Sequence, residues 1–299
     1  MRVTILGTAN AWGLNPFLSH WKQQVLEGTL SNGERIRFRQ FCTSLLIRSQ
    51  RGQCVLIDCG PDFHEQIWHF RIKELHAILL THAHWDHIAG LDYLHHYRYA
   101  AGIPSRPPLF PMYATRDCLK QVLQERGFAY LESNHIVQSH ELSAEQPMQL
   151  CGLTVTPFSV DHGETAPGAV GFVIEENYDG RIRRFLYSGD FNRLLPSSPD
   201  FLAREFDLVV LECNQWEPRN NGHVSFQGIL QLLTQGELAG AVIQQLCLVH
   251  FGDQGPRGTN STYQDWRDAA LTALNKAGLA ELTANPDTLI GYEGLTFSL

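Results

Sequence analysis

Thr81-His82-Ala83-His84-Trp85-Asp86-His87 decides how this chain reads. The stretch ends an apolar run, AILLTH (77–82), that has the look of a buried strand, and it runs into a small-residue turn at Ala89-Gly90. Four potential ligands are therefore concentrated where a strand ends and side chains open into a cleft. Three imidazoles and one carboxylate within six positions suit zinc, manganese or iron better than calcium, which prefers oxygen donors. The alternation puts His82 and His84 on one side, and the turn brings Asp86 and His87 to a second point nearby. Two metal ions can then share one site.

Working outward, short apolar runs punctuated by turns dominate both halves of the chain. VTIL (3–6), TSLLIR (43–48), CVLID (54–58) and AILLTH (77–82) are expected strands of a first half, with a short helix at Pro61–Phe70 and helical patterns over 91–100 and 116–126. LTVTPFSV (153–160), GAVGFVIEE (168–176), RRFLYSGD (183–190) and LVVLEC (208–213) are expected strands of a second half. A helix from about Ser225 to Leu233 and a final strand, LCLVHF (246–251), complete it. Two strand-rich halves with outer helices predict an α/β fold, a four-layer αββα sandwich. No repeat, low-complexity tract or linker divides the chain, so 1–299 is expected to be a single domain. The unusual segment is 14–40, a long excursion after the first strand. Its Leu14, Phe17, Leu18, Trp21, Val25 and Leu26 fall near helical spacing and predict a contact surface of a homodimer, testable by sedimentation of a Trp21→Glu variant.

In the H-x-H-x-D-H motif the sequence resembles the metallo-β-lactamase superfamily, and the resemblance runs over nearly the whole chain. The family's further metal motifs match in order: His162 in VDHGETAPG, Asp190 in LYSGD and His250 in CLVHFGD, each at or beyond the end of an apolar strand. The resemblance implies that His82, His84 and His162 hold one divalent ion, Zn2+ or Mn2+, and that Asp86, His87 and His250 hold another, with Asp190 as the bridge. His162 or His250 alone would more often be a structural histidine; membership of an ordered set makes them ligands. Asp58, in VLIDCGPDF, matches a position the family keeps beneath the site, where a carboxylate orients a ligand; a turn or capping role before Gly60-Pro61 is the plain alternative.

His223 lies in G-H-V-S just before a helix, and this loop looks like the catalytic-histidine loop of tRNase Z, of the cyclic phosphate phosphodiesterases of carbon–phosphorus lyase operons, and of a related 5′→3′ DNA exonuclease group. The resemblance implies Asp86 and His223 as catalytic residues and a small cyclic or nucleotide-like phosphodiester as substrate. True β-lactamases carry Cys at the fourth motif, where Asp190 stands here. The phosphodiesterase branch has a cysteine-rich zinc knuckle that 14–40 lacks, and no long Gly/Pro-rich insertion resembles the projecting arm of tRNase Z.

Composition narrows the field further. The 299 residues carry 23 Lys plus Arg against 31 Asp plus Glu, a formal net charge of −8, which is unlike a general nucleic-acid binder. A nuclease on RNA or DNA is the alternative reading, and it would need Arg35, Arg37, Arg39 and the Arg181–Arg184 cluster to make one groove. A non-catalytic metal-binding interaction module is a third, less favoured one. The seven cysteines are odd in number, scattered and set in apolar runs, which predicts reduced, buried thiols. No run approaches the roughly 18 apolar residues of a membrane span, and the first residues lack the pattern of a secretion signal, so the expectation is a cytoplasmic protein without membrane contact.

Overall fold

The computed structural model describes residues 1–11, 26–100 and 110–299. Most of the expected dimer stretch, from Leu14 to Val25, lies outside the described residues.

Fourteen of the strands form two mixed seven-stranded sheets. The first contains β1 (Arg2–Gly7), β4 (Ser44–Arg48), β5 (Cys54–Ile57), β6 (Ala77–Leu79), β7 (Phe110–Thr115), β8 (Val137–Leu142) and β18 (Thr296–Ser298), in the order β18-β1-β4-β5-β6-β7-β8. The second contains β9 (Met148–Leu150), β10 (Leu153–Asp161), β11 (Val170–Tyr178), β12 (Arg181–Tyr187), β13 (Arg193–Leu194), β15 (Leu208–Glu212) and β17 (Leu246–Val249). Its order is β13-β10-β11-β12-β15-β17, with β9 on β10. Two short ribbons lie outside them, β2 (Glu27–Thr29) with β3 (Arg35–Arg37), and β14 (Glu205–Phe206) with β16 (Val242–Ile243).

Alternate residues of one strand enter different cores, which shows why these strands read as unbroken apolar runs rather than as alternating ones. Leu45 and Ile47 of β4 face the core between the sheets, where Val155, Phe172, Phe185 and Val210 meet them, while Leu46 faces outward. That outer face packs against α1 (Phe63–Phe70) and, beyond the short α2 (Trp85–Ile88), against α3 (Leu94–Ala100) and α4 (Arg116–Lys120), through Phe63, Leu94, Tyr97 and Cys118. In β15, Leu208 and Val210 point into the inter-sheet core, and Val209 and Leu211 point out onto α5 (Phe226–Thr234) and α6 (Tyr263–Lys276), where Phe226, Ile229, Trp266 and Ala270 cover them. The result is the expected αββα layering.

Some expectations need correction. LCLVHF is not the last strand: β18 follows it and pairs antiparallel with β1 on the edge of the first sheet. β6 stops at Leu79, so Thr81 and His82 belong to the loop beyond the strand, and β17 stops at Val249, one residue before His250. The segment 116–126 is not one α-helix, because after Lys120 its turn widens to a π-helix over Gln121–Glu125.

Candidate metal centre

β5, β6, β10, β12, β15 and β17 all end at the same edge of the sandwich; β15 ends on a side chain of the site, Glu212, and each of the others is followed by one within a few residues. Backbone geometry at these ends is unusual. Asp58 and His250 have φ of 60° and 59°, the left-handed region that non-glycine residues seldom occupy, so the chain turns sharply where Asp58 reaches the site from beneath and where His250 enters it. The metal loop is held down by two glycines. A Cβ on Gly60 would stand 2.1 Å from the carbonyl oxygen of Asp86, and one on Gly90 would stand 2.1 Å from that of Gly60. Their absence lets Cys59 N–H donate to the His87 carbonyl at 2.7 Å and Gly90 N–H donate to the Cys59 carbonyl at 2.8 Å. The loop carrying four donors is thereby clamped to the loop carrying Asp58.

The donor atoms fall into two overlapping groups. His82, His84 and His162 form one, and Asp86, His87, Asp190 and His250 form the other. In the second group the His87 Nε2 to Asp86 Oδ2 and His250 Nε2 to Asp86 Oδ2 distances are both 3.4 Å, and Asp190 Oδ2 lies 3.3 Å from His87 Nε2 and 3.0 Å from His250 Nε2. Two ligands each about 2.0–2.1 Å from a tetrahedral ion stand about 3.3–3.4 Å apart, so this spacing matches the edges of one coordination tetrahedron. In the first group His162 Nε2 lies 3.1 Å from His84 Nδ1, and Asp190 Oδ2 lies 3.8 Å from His162 Nε2 and 3.9 Å from His82 Nε2. Asp190 thus touches both groups. The buried Nε2 atoms of His82 and His87 and Oδ1 of Asp190 have no hydrogen-bond partner in the protein, which buried polar atoms avoid unless another group satisfies them. The residues present fit divalent cations.

A second layer fixes the rings. Asp58, fully buried, accepts from Thr81 N–H and from Thr81 Oγ1 at 2.8 Å each, and its Oδ2 lies 2.8 Å from His87 Nδ1, leaving His87 Nε2 for the cleft. Thr81 Oγ1 is 2.9 Å from His82 Nδ1, and the carbonyl of Gly222 holds His162 Nδ1 at 2.8 Å. Glu212, at the end of β15, is wholly buried; it pairs with Nδ1 of His223, and its Oε1 lies 3.3 Å from Nδ1 of His250. His223 stacks on His250 with ring centroids 5.4 Å apart and meets the His162 ring at 4.8 Å.

Charge is partitioned across the cleft. Burial pushes the Asp86 and Asp190 carboxyls up, but the imidazoles of His87 and His250 outweigh it and hold both well below the usual carboxylate range. Burial opposes charge on His87 and His250, and the carboxylates, Asp190 foremost, nevertheless raise both well above the usual imidazole range. His82 is held well below that range by burial and the facing His87, and His84 is brought down to about 4 by burial and His162. His82 and His84 are thereby disposed to stay neutral, while His87 and His250 are disposed to hold protons that an incoming cation displaces.

A family model described as the beta-lactamase superfamily domain matches residues 53–251, the span from β5 to just past His250. The chain belongs to that superfamily. An octanoyltransferase of Porphyromonas gingivalis is 31% identical over 163 residues, 54% of this chain but 31% of that protein. A coenzyme PQQ synthesis protein B of Xanthomonas axonopodis is 27% identical over 191 residues, 61% of this chain and 57% of that protein. The chain thus spans well under two thirds of either relative. Among solved structures, a diphosphatase of the PhnP family superposes with a TM-score of 0.69 at 20% identity, covering 100% of this chain and 97% of that one. Zn(2+)-bound PqqB from Methylobacterium extorquens gives 0.70 at 20% identity, covering both chains fully, and human tRNase Z, short form, gives 0.62 at 18%, covering 100% and 99%. These likenesses establish the metallo-β-lactamase fold. Members of that superfamily are mostly metal-dependent hydrolases, and the His/Asp donor set of this chain is of the kind such chemistry uses.

The structure brings together every sequence-predicted residue of the site: His82, His84, Asp86, His87, His162, Asp190, His223 and His250, with Asp58 beneath them. The basic segments do not join them. Arg181 and Arg183 pair with Asp207, and Arg184 pairs with Glu175 at 2.6 Å. Arg183 also lies four positions before the end of β12, about 13 Å back from the site edge at about 3.3 Å per residue. Arg39 is buried, with Asp253 and Glu293 among the charges acting on it, so it is no part of a solvated basic face. Tyr97 packs in the outer core, and Arg98 donates to the His135 carbonyl. The residue that sequence reasoning missed is Glu212. Its only signal was a carboxylate closing the apolar run LVVLE.

Proposed function

We propose that this protein is a dinuclear metal-dependent phosphodiesterase acting on a small cyclic or nucleotide-like phosphodiester. The observation that carries the reading is the Glu212–His223 pair at the wall of the metal cleft. A ligand set alone serves many hydrolyses, whereas an added imidazole, backed by a buried carboxylate and stacked on ligand His250, supplies what departure of an alkoxide needs. Divalent cations held by His82, His84, His162, Asp86, His87, His250 and Asp190 would polarise a phosphoryl oxygen and make water nucleophilic at neutral pH.

The chain's own residues do the rest. Glu212 takes Nδ1 of His223, so Nε2 is the ring nitrogen left for substrate. Burial disfavours charge on His223, but the Glu212 carboxylate prevails and raises its pKa, so a proton remains at Nε2 for the leaving oxygen. Asp190 holds the two donor groups in one unit, and Asp58 and Thr81 fix the tautomers of His87 and His82. A polymeric nucleic-acid substrate is less well supported, because the arginines it would need at 181–184 face acidic partners away from the site.

The test is hydrolysis of bis(p-nitrophenyl) phosphate and a panel of cyclic phosphates with Zn2+ or Mn2+ added. Metal-dependent turnover is expected, and His223→Ala should lower it by about 10²–10⁴-fold while retaining bound metal. No turnover on the whole panel, or equal metal loss in His223→Ala and Asp190→Ala, overturns the reading.

A further inference from the structure

The cleft above the metal donors is a cavity of about 740 Å³, and among the lining residues that are spent neither on metal nor on proton transfer are one large ring, Trp85, and two cations, Arg126 and Arg219. Trp85 sits between ligands His84 and Asp86, yet it is 52% exposed. A large ring is seldom left so open, and this one is not loose: the Arg126 guanidinium lies 5.9 Å from its centroid, and Phe128, itself buried in the outer core, meets it edge-on at 6.0 Å. A flat apolar surface is thus held in place beside the metal loop with about half of it open to the cleft.

The two arginines share with Arg2, Arg48, Arg51, Arg71 and Arg204 the lack of an ion pair among the described residues, and of these arginines they are the two that line the metal cavity. Arg35, Arg116, Arg184, Arg193 and Arg257 each sit on a carboxylate. Among the described residues, Arg126 and Arg219 form no ion pair. Arg219 donates to the side-chain oxygen of Gln254 at 2.8 Å, a neutral partner that orients the guanidinium without neutralising it, and Arg126 has a buried Nε with no acceptor. In a chain of net charge −8, two guanidinium groups without an ion pair, in a cavity where Asp253 is the one carboxylate outside the metal-donor set, mark a place for anions.

We propose that Trp85, Arg126 and Arg219 form a substrate subsite that takes a planar ring on the indole and an anionic group, additional to the one at the metal donors, on the guanidinium groups. Resting on the phosphodiesterase reading, this narrows the substrate class to nucleotides bearing two anionic centres, in place of simple dialkyl or cyclic monoanions.

Calorimetric titration of the Mn2+-loaded protein separates the two parts without relying on turnover. The probes are ribose 5-phosphate, adenosine 5′-monophosphate and adenosine 3′,5′-bisphosphate. Stacking predicts about tenfold tighter binding of the monophosphate than of ribose 5-phosphate, a preference lost in Trp85→Ala and kept in Trp85→Phe. The second anion predicts about tenfold tighter binding of the bisphosphate than of the monophosphate, a preference reduced in Arg219→Gln and in Arg126→Gln. Equal affinities within either pair in the wild type overturn that half of the subsite, as do preferences that survive the variants. If both preferences hold but no phosphodiester is hydrolysed, the subsite stands and the proposed reaction falls. Hydrolysis of bis(p-nitrophenyl) phosphate without either preference leaves the reaction standing and removes the subsite.

Discussion

At the scale of single residues, the candidate donors and Asp58 beneath them were legible, and the other supports were not. His82, His84, Asp86 and His87 announce themselves by spacing, whereas His162, Asp190 and His250 were legible only through the resemblance to the superfamily, whose ordered motifs they match at the ends of apolar runs. Glu212 ends such a run too, but it has no patterned neighbour, and its partner lies 11 positions away across a loop. Its worth appears only when the fold is built. Burial raises the Glu212 carboxyl and the His223 charge outweighs that, lowering it; in return Glu212 raises His223. The sign for catalysis follows. If His223 acts as an acid, activity holds below its pKa and fails as pH rises through it, so the raised value extends activity to higher pH. Glu212→Gln removes that support and should shift the alkaline limb of the pH–rate profile towards lower pH, with turnover falling about 10–100-fold as for other outer-shell carboxylates. An unmoved alkaline limb would show that Glu212 acts on packing alone.

At the scale of elements, long apolar strands were read well and short or interrupted ones poorly. CVLI, LVVLE and LCLV are covered on both faces, and nothing in them competes with the strand pattern. β7 alternates in burial, but its Pro111, which cannot donate to a ladder, argues against a strand inside a sheet, and β8, VQSHEL, lies at the sheet edge with a partly exposed polar middle that carries little strand pattern. β18 has three residues and depends on β1, nearly 300 positions away, a contact no local pattern can signal. The metal loop shows the same dependence on distant contacts. Its place relies on Gly60 and Gly90, where backbone meets backbone. Gly60→Ala drives a methyl into the Asp86 carbonyl, and because backbone rather than a flexible side chain opposes it, the loop must move. The expected result is loss of metal stoichiometry and a fall in stability of about 1–3 kcal/mol, the usual cost of overpacking, read by metal analysis and denaturant unfolding. Full metal content with unchanged stability would mean that the two loops are not clamped as described.

At the scale of the whole molecule, the donor set joins the two sheets. His82, His84, Asp86 and His87 follow β6 of the first sheet, while His162, Asp190 and His250 follow β10, β12 and β17 of the second. Without cations, Asp190 and Asp86 are balanced by imidazoles that burial disfavours in their charged form, and Nε2 of His82 and Oδ1 of Asp190 have no hydrogen-bond partner. A cation bound between the sheets relieves both deficits in the folded chain and has no comparable site in the unfolded one. Ligand linkage then adds about 4 kcal/mol of stability when free metal is about 1,000 times its dissociation constant. For a protein of this size, at about 2–4 °C per kcal/mol, chelation should lower Tm by about 10 °C. Readdition of Zn2+ or Mn2+ should restore it, and the restoration should weaken at low pH because the proton-holding His87 and His250 must be stripped before they can bind. Calorimetric scans with and without chelator decide the matter. A Tm indifferent to metal at every pH would mean that the seven residues form an internal salt-bridge network, and the reading of the cleft as a metal centre would fall with it.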